Sequence, residues 1–184
     1  RWADSIPRIY ALYHPACAAC APVTLFVDDR FSGEELGIIE HLLPEYVQLE
    51  VTDSAVRVQA DRCIYLPHLS SDRTGHSRWF SASAGFIPNE CLDWLRTEVH
   101  AVTGCEPAAP FRKLYVTRRN AKVRRVRNEA EVADYLTDRG FEVVALEERP
   151  FCEQVQLFAE AEVVVAQHGA GLINLLFAQS PRVL

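Results

Sequence analysis

The sequence predicts an α/β protein of two small domains, each a parallel sheet layered with helices. Two observations carry this. Short runs of Val, Ile, Leu and Phe alternate along the chain with apolar stripes at helical spacing, and strand–helix units repeated in this way build parallel sheets. Between them, Glu106-Pro107-Ala108-Ala109-Pro110 holds two prolines and no periodicity, so it reads as a linker. The expected domains are residues 1–105 and 113–184, joined by 106–112. At 184 residues, 49% hydrophobic and 24% charged, the chain has the makeup of a soluble globular protein.

In the first half, Asp4 and Ser5 are candidate caps of an opening helix with Pro7 in its first turn. Ile6, Ile9, Tyr10 and Tyr13 supply its core-facing stripe at i, i+3, i+4 and i+7. Val23–Val27 follows as a strand, closed by the turn Asp28-Asp29-Arg30. A helix over Gly33–Leu43 buries Ile38, Ile39, Leu42 and Leu43, and Pro44 stops it. Strands are expected at Val47–Val51, Val56–Val58 and Cys63–Leu66. The Ser- and Gly-rich stretch Ser70–Asn89 reads as an irregular loop, of a length that in compact domains is usually functional or mobile. Asn89 then caps a helix with Leu92, Leu95, Val99 and Val102 on one face and Gly104 past its end.

The second half is more regular. Lys113–Thr117 is a strand and Arg118–Arg127 a basic loop; Asn128 caps a helix that carries Glu129 and Glu131 at its positive end. Val132, Tyr135 and Leu136 form that helix's apolar stripe, and Gly140 ends it. Phe141–Leu146 reads as a strand, Pro150–Ala161 as a helix and Val163–Ala166 as a strand that turns through Gln167–Gly171 into a helix beginning near Leu172. Pro181–Leu184 reads as the start of another strand; both ends of the chain look cut, so the second domain is expected to be incomplete.

Charge and length exclude several classes. A net charge of −6 disfavours bulk binding to nucleic acid or to anionic membranes. No apolar run nears the roughly 20 residues that span a bilayer, and no signal peptide is apparent. Six irregularly spaced cysteines do not make a disulfide framework, which favours a reducing, cytoplasmic setting, with membrane association of a longer protein left open.

Four features could carry chemistry. Arg118, Arg119, Lys122, Arg124, Arg125 and Arg127 crowd one loop at the carboxyl end of a strand, the edge where open α/β sheets bind ligands. Guanidinium forks suit a diphosphate there, although a solvated basic turn is the plain alternative. Second, Gln167-His168-Gly169-Ala170-Gly171-Leu172 runs from a buried strand into a helix, and helix N-terminal amides beside glycines hold anions. The same run is compatible with a tight structural turn or with a dinucleotide fingerprint, whose third glycine is replaced by Asn174. Third, Glu153-Gln154 reads as helix surface. Fourth, His14-x-x-Cys17-x-x-Cys20 has metal-like spacing but lacks a second pair to close a zinc site, so no metal is expected.

In order, Tyr115-Val116-Thr117-Arg118-Arg119, Arg125-Val126-Arg127-Asn128-Glu129-Ala130-Glu131, Gly140-Phe141-Glu142-Val143, Glu153-Gln154-Val155-Gln156-Leu157-Phe158 and His168-Gly169-Ala170-Gly171-Leu172-Ile173-Asn174 resemble the family 61 glycosyltransferases. Many bacterial members are labelled capsular polysaccharide biosynthesis proteins. The match spans about Lys113 to Phe177; in the first half only Trp2-Ala3-Asp4-Ser5-Ile6-Pro7-Arg8 takes part.

The resemblance implies a GT-B fold, two Rossmann-like domains facing a cleft, with inversion at the anomeric carbon and no required metal. It implies a nucleotide-sugar donor, of which UDP-sugars are the first candidates, and a glycan or other hydroxyl acceptor. Carried onto this chain, Arg118, Arg125 and Asn128 belong to the donor site, as do His168, Gly169, Ala170, Gly171 and Asn174, with Glu153 near the nucleotide or sugar hydroxyls. Asp4 is the candidate base, in rivalry with its role as a helix cap and with a histidine that the family pattern places just before Arg1. Two other classes stay open: a sugar-nucleotide epimerase of the same architecture, and a nucleic-acid module using the basic loop, which the overall charge disfavours.

Overall fold

The computed structural model describes residues 6–53, 55–65, 88–106, 109–121 and 125–184. It divides into two compact units, Arg1–Val99 and His100–Leu184. The divide falls within a helix, ahead of the proline segment that the sequence marks as a linker.

In the first unit, β1 (Val23–Asp28) and β2 (Val47–Thr52) pair in parallel, with Val23 opposite Val47 and Asp28 opposite Thr52. Between them runs α2 (Gly33–His41), after the short α1 (Pro15–Ala18). Ser32 and Glu35 close a reciprocal capping box on α2, and Ile38, Ile39 and Leu42 are buried as their spacing predicts. The opening helix, Ile6–Tyr13, is a 3-10 helix. Its three-residue repeat puts Ile6, Ile9 and Leu12 on the buried side and leaves Tyr10 and Tyr13 half exposed, which corrects the stripe expected from an α-helical period. Both tyrosine rings lean on Trp94 of α3 (Asn89–Thr103), at 5.3 and 5.7 Å between centroids.

Cys91, Leu95 and Val99 form the buried stripe of α3, whereas Val102 is exposed. The expected strand at 56–58 is absent, and Val56 and Val58 are exposed; a three-residue run without a ladder partner has nothing to fix it. Residues 62–65 are likewise not a strand; Leu66 and the stretch through 87 lie outside the described residues.

The second unit is a four-stranded, all-parallel sheet in the order β4-β3-β5-β6, where β3 is Arg112–Val116, β4 Glu142–Val144, β5 Ala161–Ala166 and β6 Arg182–Val183. Helix α4 (Glu129–Thr137) links β3 to β4, and α5 (Phe151–Ala159) links β4 to β5. Leu114, Val164, Val155, Phe158 and Phe177 are fully buried at its core. The run from Phe141 is shorter as a strand than its composition predicts, because Leu146 already begins a 3-10 turn, Leu146–Glu148.

Tyr135 is 57% exposed and carries the Arg139 guanidinium 3.5 Å from its ring centroid, so it is not part of the core stripe expected for α4. At the amino-terminal edge of the sheet, Arg112 of β3 donates to Glu160, just ahead of β5, at 2.5 Å and to Glu142 of β4 at 2.8 Å, tying the starts of three neighbouring strands. Burial pushes the Glu160 carboxyl up, but the Arg112 and Gln156 hydrogen bonds outweigh it and hold its pKa below the usual value.

The segment after β5 is also a 3-10 helix, Ala170–Phe177, beginning two residues earlier than the sequence suggests. Gly171, Asn174 and Phe177 recur every third residue along it; Asn174 and Phe177 are buried, and Gly171 packs on Leu146 and Val116.

Candidate functional site

The strand order makes one place on the second unit special. From β3 the chain moves outward to β4, then returns across to β5 on the other side of β3. The crevice above the carboxyl ends of β3 and β5 is therefore a topological switch point, where open parallel sheets receive ligands. Val116 pairs with Ala166, so Arg118 and His168, each two residues further on, leave the sheet level with each other.

Arg118 and Gly169 are brought into contact there. A Cβ built on Gly169 would collide with Arg118 Nη1 and lie 3.1 Å from its Cζ, so the guanidinium rests directly on the glycine backbone. Gly169 has an extended backbone (φ −177°) and occupies the N-cap of the 3-10 helix with no side-chain cap. The first amides of a helix have no acceptor within the helix, and here they begin beside a guanidinium. The positive ends of both groups suit an anion, and a diphosphate in particular. His168 is exposed in the same turn.

The turn is seated on apolar side chains. A Cβ on Gly171 would meet Leu146 Cδ1 at 2.7 Å and Val116 Cγ1 at 3.7 Å. Asn174, only 3% exposed, donates from Nδ2 to Gln154 Oε1 at 2.9 Å.

The loop after β3 is braced from both sides. Thr117 and Tyr115 both donate to Glu129 Oε1 at the start of α4, the tyrosine at 2.9 Å. Burial, then the hydrogen bond to Glu129 and its charge, push the Tyr115 phenol up to about 12, so it stays a donor. Across the loop, Arg119 and Asn120 donate to Glu148 at 2.9 and 2.8 Å.

The other sequence-derived candidates are more scattered. Arg125 is exposed in the loop ahead of α4. Asn128 holds the N-cap position of α4 but makes no cap bond; its Nδ2 reaches Glu131 Oε2 at 3.3 Å instead, correcting the expected side-chain cap. Glu153 is exposed on the first turn of α5, 3.3 Å from Arg149 Nη1. Ala170 is the first residue of the 3-10 helix. Asp4, the candidate base, lies outside the described residues, as do Lys122 and Arg124. At the metal-like spacing, His14 Nδ1 accepts from the Ala16 amide, while the Cys17 and Cys20 thiols face the carbonyls of Ala11 and Ala16. Among the described residues no three His, Cys, Asp or Glu side chains converge on one point.

Two glutamines have surroundings that the sequence does not foretell, Gln154, which reads as helix surface, and Gln167, which reads only as the start of the glycine turn. Gln154 falls in the apolar stripe of α5 with Phe151, Val155 and Phe158, and an amide in a stripe position is the signal that marks it. Gln167 Oε1 is buried without a hydrogen-bond partner among the described residues. An orphaned buried acceptor costs about 1–3 kcal/mol. Gln167→Leu is therefore expected to raise stability by about 1 kcal/mol in urea unfolding while weakening ligand binding; an equal loss of stability would reveal a partner for that oxygen within the folded chain.

A parallel α/β sheet whose switch point presents a guanidinium on a glycine turn has the form of the open α/β sheets that receive ligands at their carboxyl edge. The family model described as Glycosyltransferase 61 matches residues 3–184, so the chain belongs to glycosyltransferase family 61. It is a glycosyltransferase, an enzyme with a sugar donor and an acceptor as substrates. A search of curated proteins found no match. No helix among the described residues is long and apolar enough to cross a membrane.

Proposed function

We propose that the chain transfers a sugar from a nucleoside diphosphate sugar, with UDP-sugars the first candidates, to a hydroxyl of a glycan or similar acceptor, with inversion and without a metal. The reading carries a GT-B arrangement, an acceptor-side domain over 1–105 and a donor domain over 113–184, and a cytoplasmic place in polysaccharide synthesis, capsular polysaccharide included. The single observation that supports it most is Arg118 seated on Gly169 at the switch point.

In this reading the donor diphosphate lies between Arg118 and the amides that open the 3-10 helix. As the bond from the anomeric carbon to the diphosphate breaks, negative charge grows on the leaving oxygens. Fixed donors and a guanidinium already in place stabilise that charge without reorganising. Arg125 adds positive charge to the same loop, His168 lies in the turn itself, Asn128 flanks the loop, and Glu153 meets donor hydroxyls. A base, Asp4 or a histidine preceding Arg1, takes the acceptor's proton so that its oxygen attacks the opposite face of the sugar.

The test is to incubate the full-length protein with UDP-sugars, with and without a sugar acceptor. A glycosylated product of inverted configuration, formed only with acceptor, is expected. Conversion of one UDP-sugar into another without acceptor would replace this reading with that of an epimerase.

A further inference from the structure

The donor reading places Asn174 among the groups that touch the nucleotide sugar, yet the side chain is turned into the protein. It is 3% exposed and spends its amide N–H on Gln154 Oε1, at 2.9 Å. Gln154 in turn donates from Nε2 to the carbonyls of Leu146, at 3.0 Å, and Arg149, at 2.9 Å. Both N–H groups of its amide thus face carbonyls, which can only accept. That fixes the orientation of the amide and obliges Oε1 to receive the bond from Asn174.

The same small region carries the floor of the glycine turn. Leu146, whose carbonyl Gln154 holds, is the side chain that packs beneath Gly171. One residue pair therefore fixes the 3-10 helix behind the turn and the residue under it. A second fastening lies a turn further along, where Phe151 of α5 meets Phe177 edge to face at 5.6 Å. Helix α5 and the 3-10 helix are joined at both points, by a polar contact near the turn and an aromatic one behind it.

We infer that Gln154 and Asn174 are positioning residues, which set the depth of the Gly169–Gly171 turn above the sheet and act on the donor only through it. The inference rests on the turn being the donor site. It removes Asn174 from direct contact with substrate and gives Gln154 a part that a reading as helix surface leaves out. A pair of amides, one of them buried, has the geometric precision the task needs, since each bond fixes both distance and direction.

The experiment uses Gln154→Ala, Asn174→Ala and Gln154→Glu in the full-length enzyme. Amide exchange in the nucleotide-free protein is expected to rise about tenfold over residues 167–172, the equivalent of one lost hydrogen bond, while β3 and β5 keep their protection. In steady state the donor KM rises with the acceptor KM unmoved. Gln154→Glu behaves like the alanine variant, because a carboxylate cannot donate to Leu146 and Arg149. Unchanged exchange over 167–172, or a rise spread evenly through the second unit, overturns the inference. So does a higher donor KM in Asn174→Ala with Gln154→Ala normal, which would make Asn174 a direct ligand. If the segment opens as expected but the parent enzyme binds no nucleoside diphosphate, the donor reading falls, and with it the pair's action on the donor, while its setting of the turn's depth stands.

Discussion

Arg118→Ala is expected to lower kcat/KM for sugar transfer by roughly 100-fold, the scale on which removing one preorganised donor to developing negative charge acts. The guanidinium rests on the backbone of Gly169 and leaves the sheet beyond the last ladder residue of β3, so its removal leaves the strands and their buried residues in place. Circular dichroism and the thermal midpoint should therefore stay near those of the parent. Arg118→Lys restores the charge but not the planar fork, and recovers only part of the loss. Near-normal transfer by the alanine variant would remove the switch point from the donor site.

Gly169→Ala is expected to imitate that loss without touching any charge. The backbone there is extended (φ −177°), a conformation open to every residue, so the substitution adds no backbone strain. The new methyl would instead occupy the space of Arg118 Nη1, the far end of a flexible side chain, which can swing away at small cost in stability. A drop in kcat/KM close to that of Arg118→Ala, with the fold retained, is the expected outcome. The double variant should be no worse than the worse single one, because both act on the same guanidinium. Additive losses would mean that Gly169 and Arg118 serve the donor separately. Gly171 is a different case: its missing Cβ makes room for the buried Leu146 Cδ1, which is a packing requirement.

Much of the second unit was legible from sequence because its buried strands are short apolar runs and α5 carries a clear apolar stripe. The alternation alone implied a parallel sheet, and the arginine run and the glycine turn pointed to the same edge. Their contact was another matter. That Arg118, rather than Arg119, meets Gly169 follows from the register of β3 against β5, and Arg119 is drawn aside by Glu148. The family resemblance also puts Asn174 in the donor site, whereas its surroundings depend on which winding the helix adopts. In the first unit the differences have two causes. A period of three cannot be told from one of 3.6 over eight residues, so Tyr13 was expected where Leu12 is buried. Short valine-bearing runs such as 56–58 offer β-propensity without a neighbour to pair with.

The 3-10 winding of Ala170–Phe177 has one more consequence. Because Gly171, Asn174 and Phe177 are aligned by a strict count of three, adding or deleting one residue among them would turn everything downstream by about a third of a revolution. Phe177 would swing off Phe151 and Asn174 off Gln154, whatever side chains were kept. Substitutions at the intervening positions leave that count untouched. What this stretch conserves across related enzymes should therefore be its length before its composition.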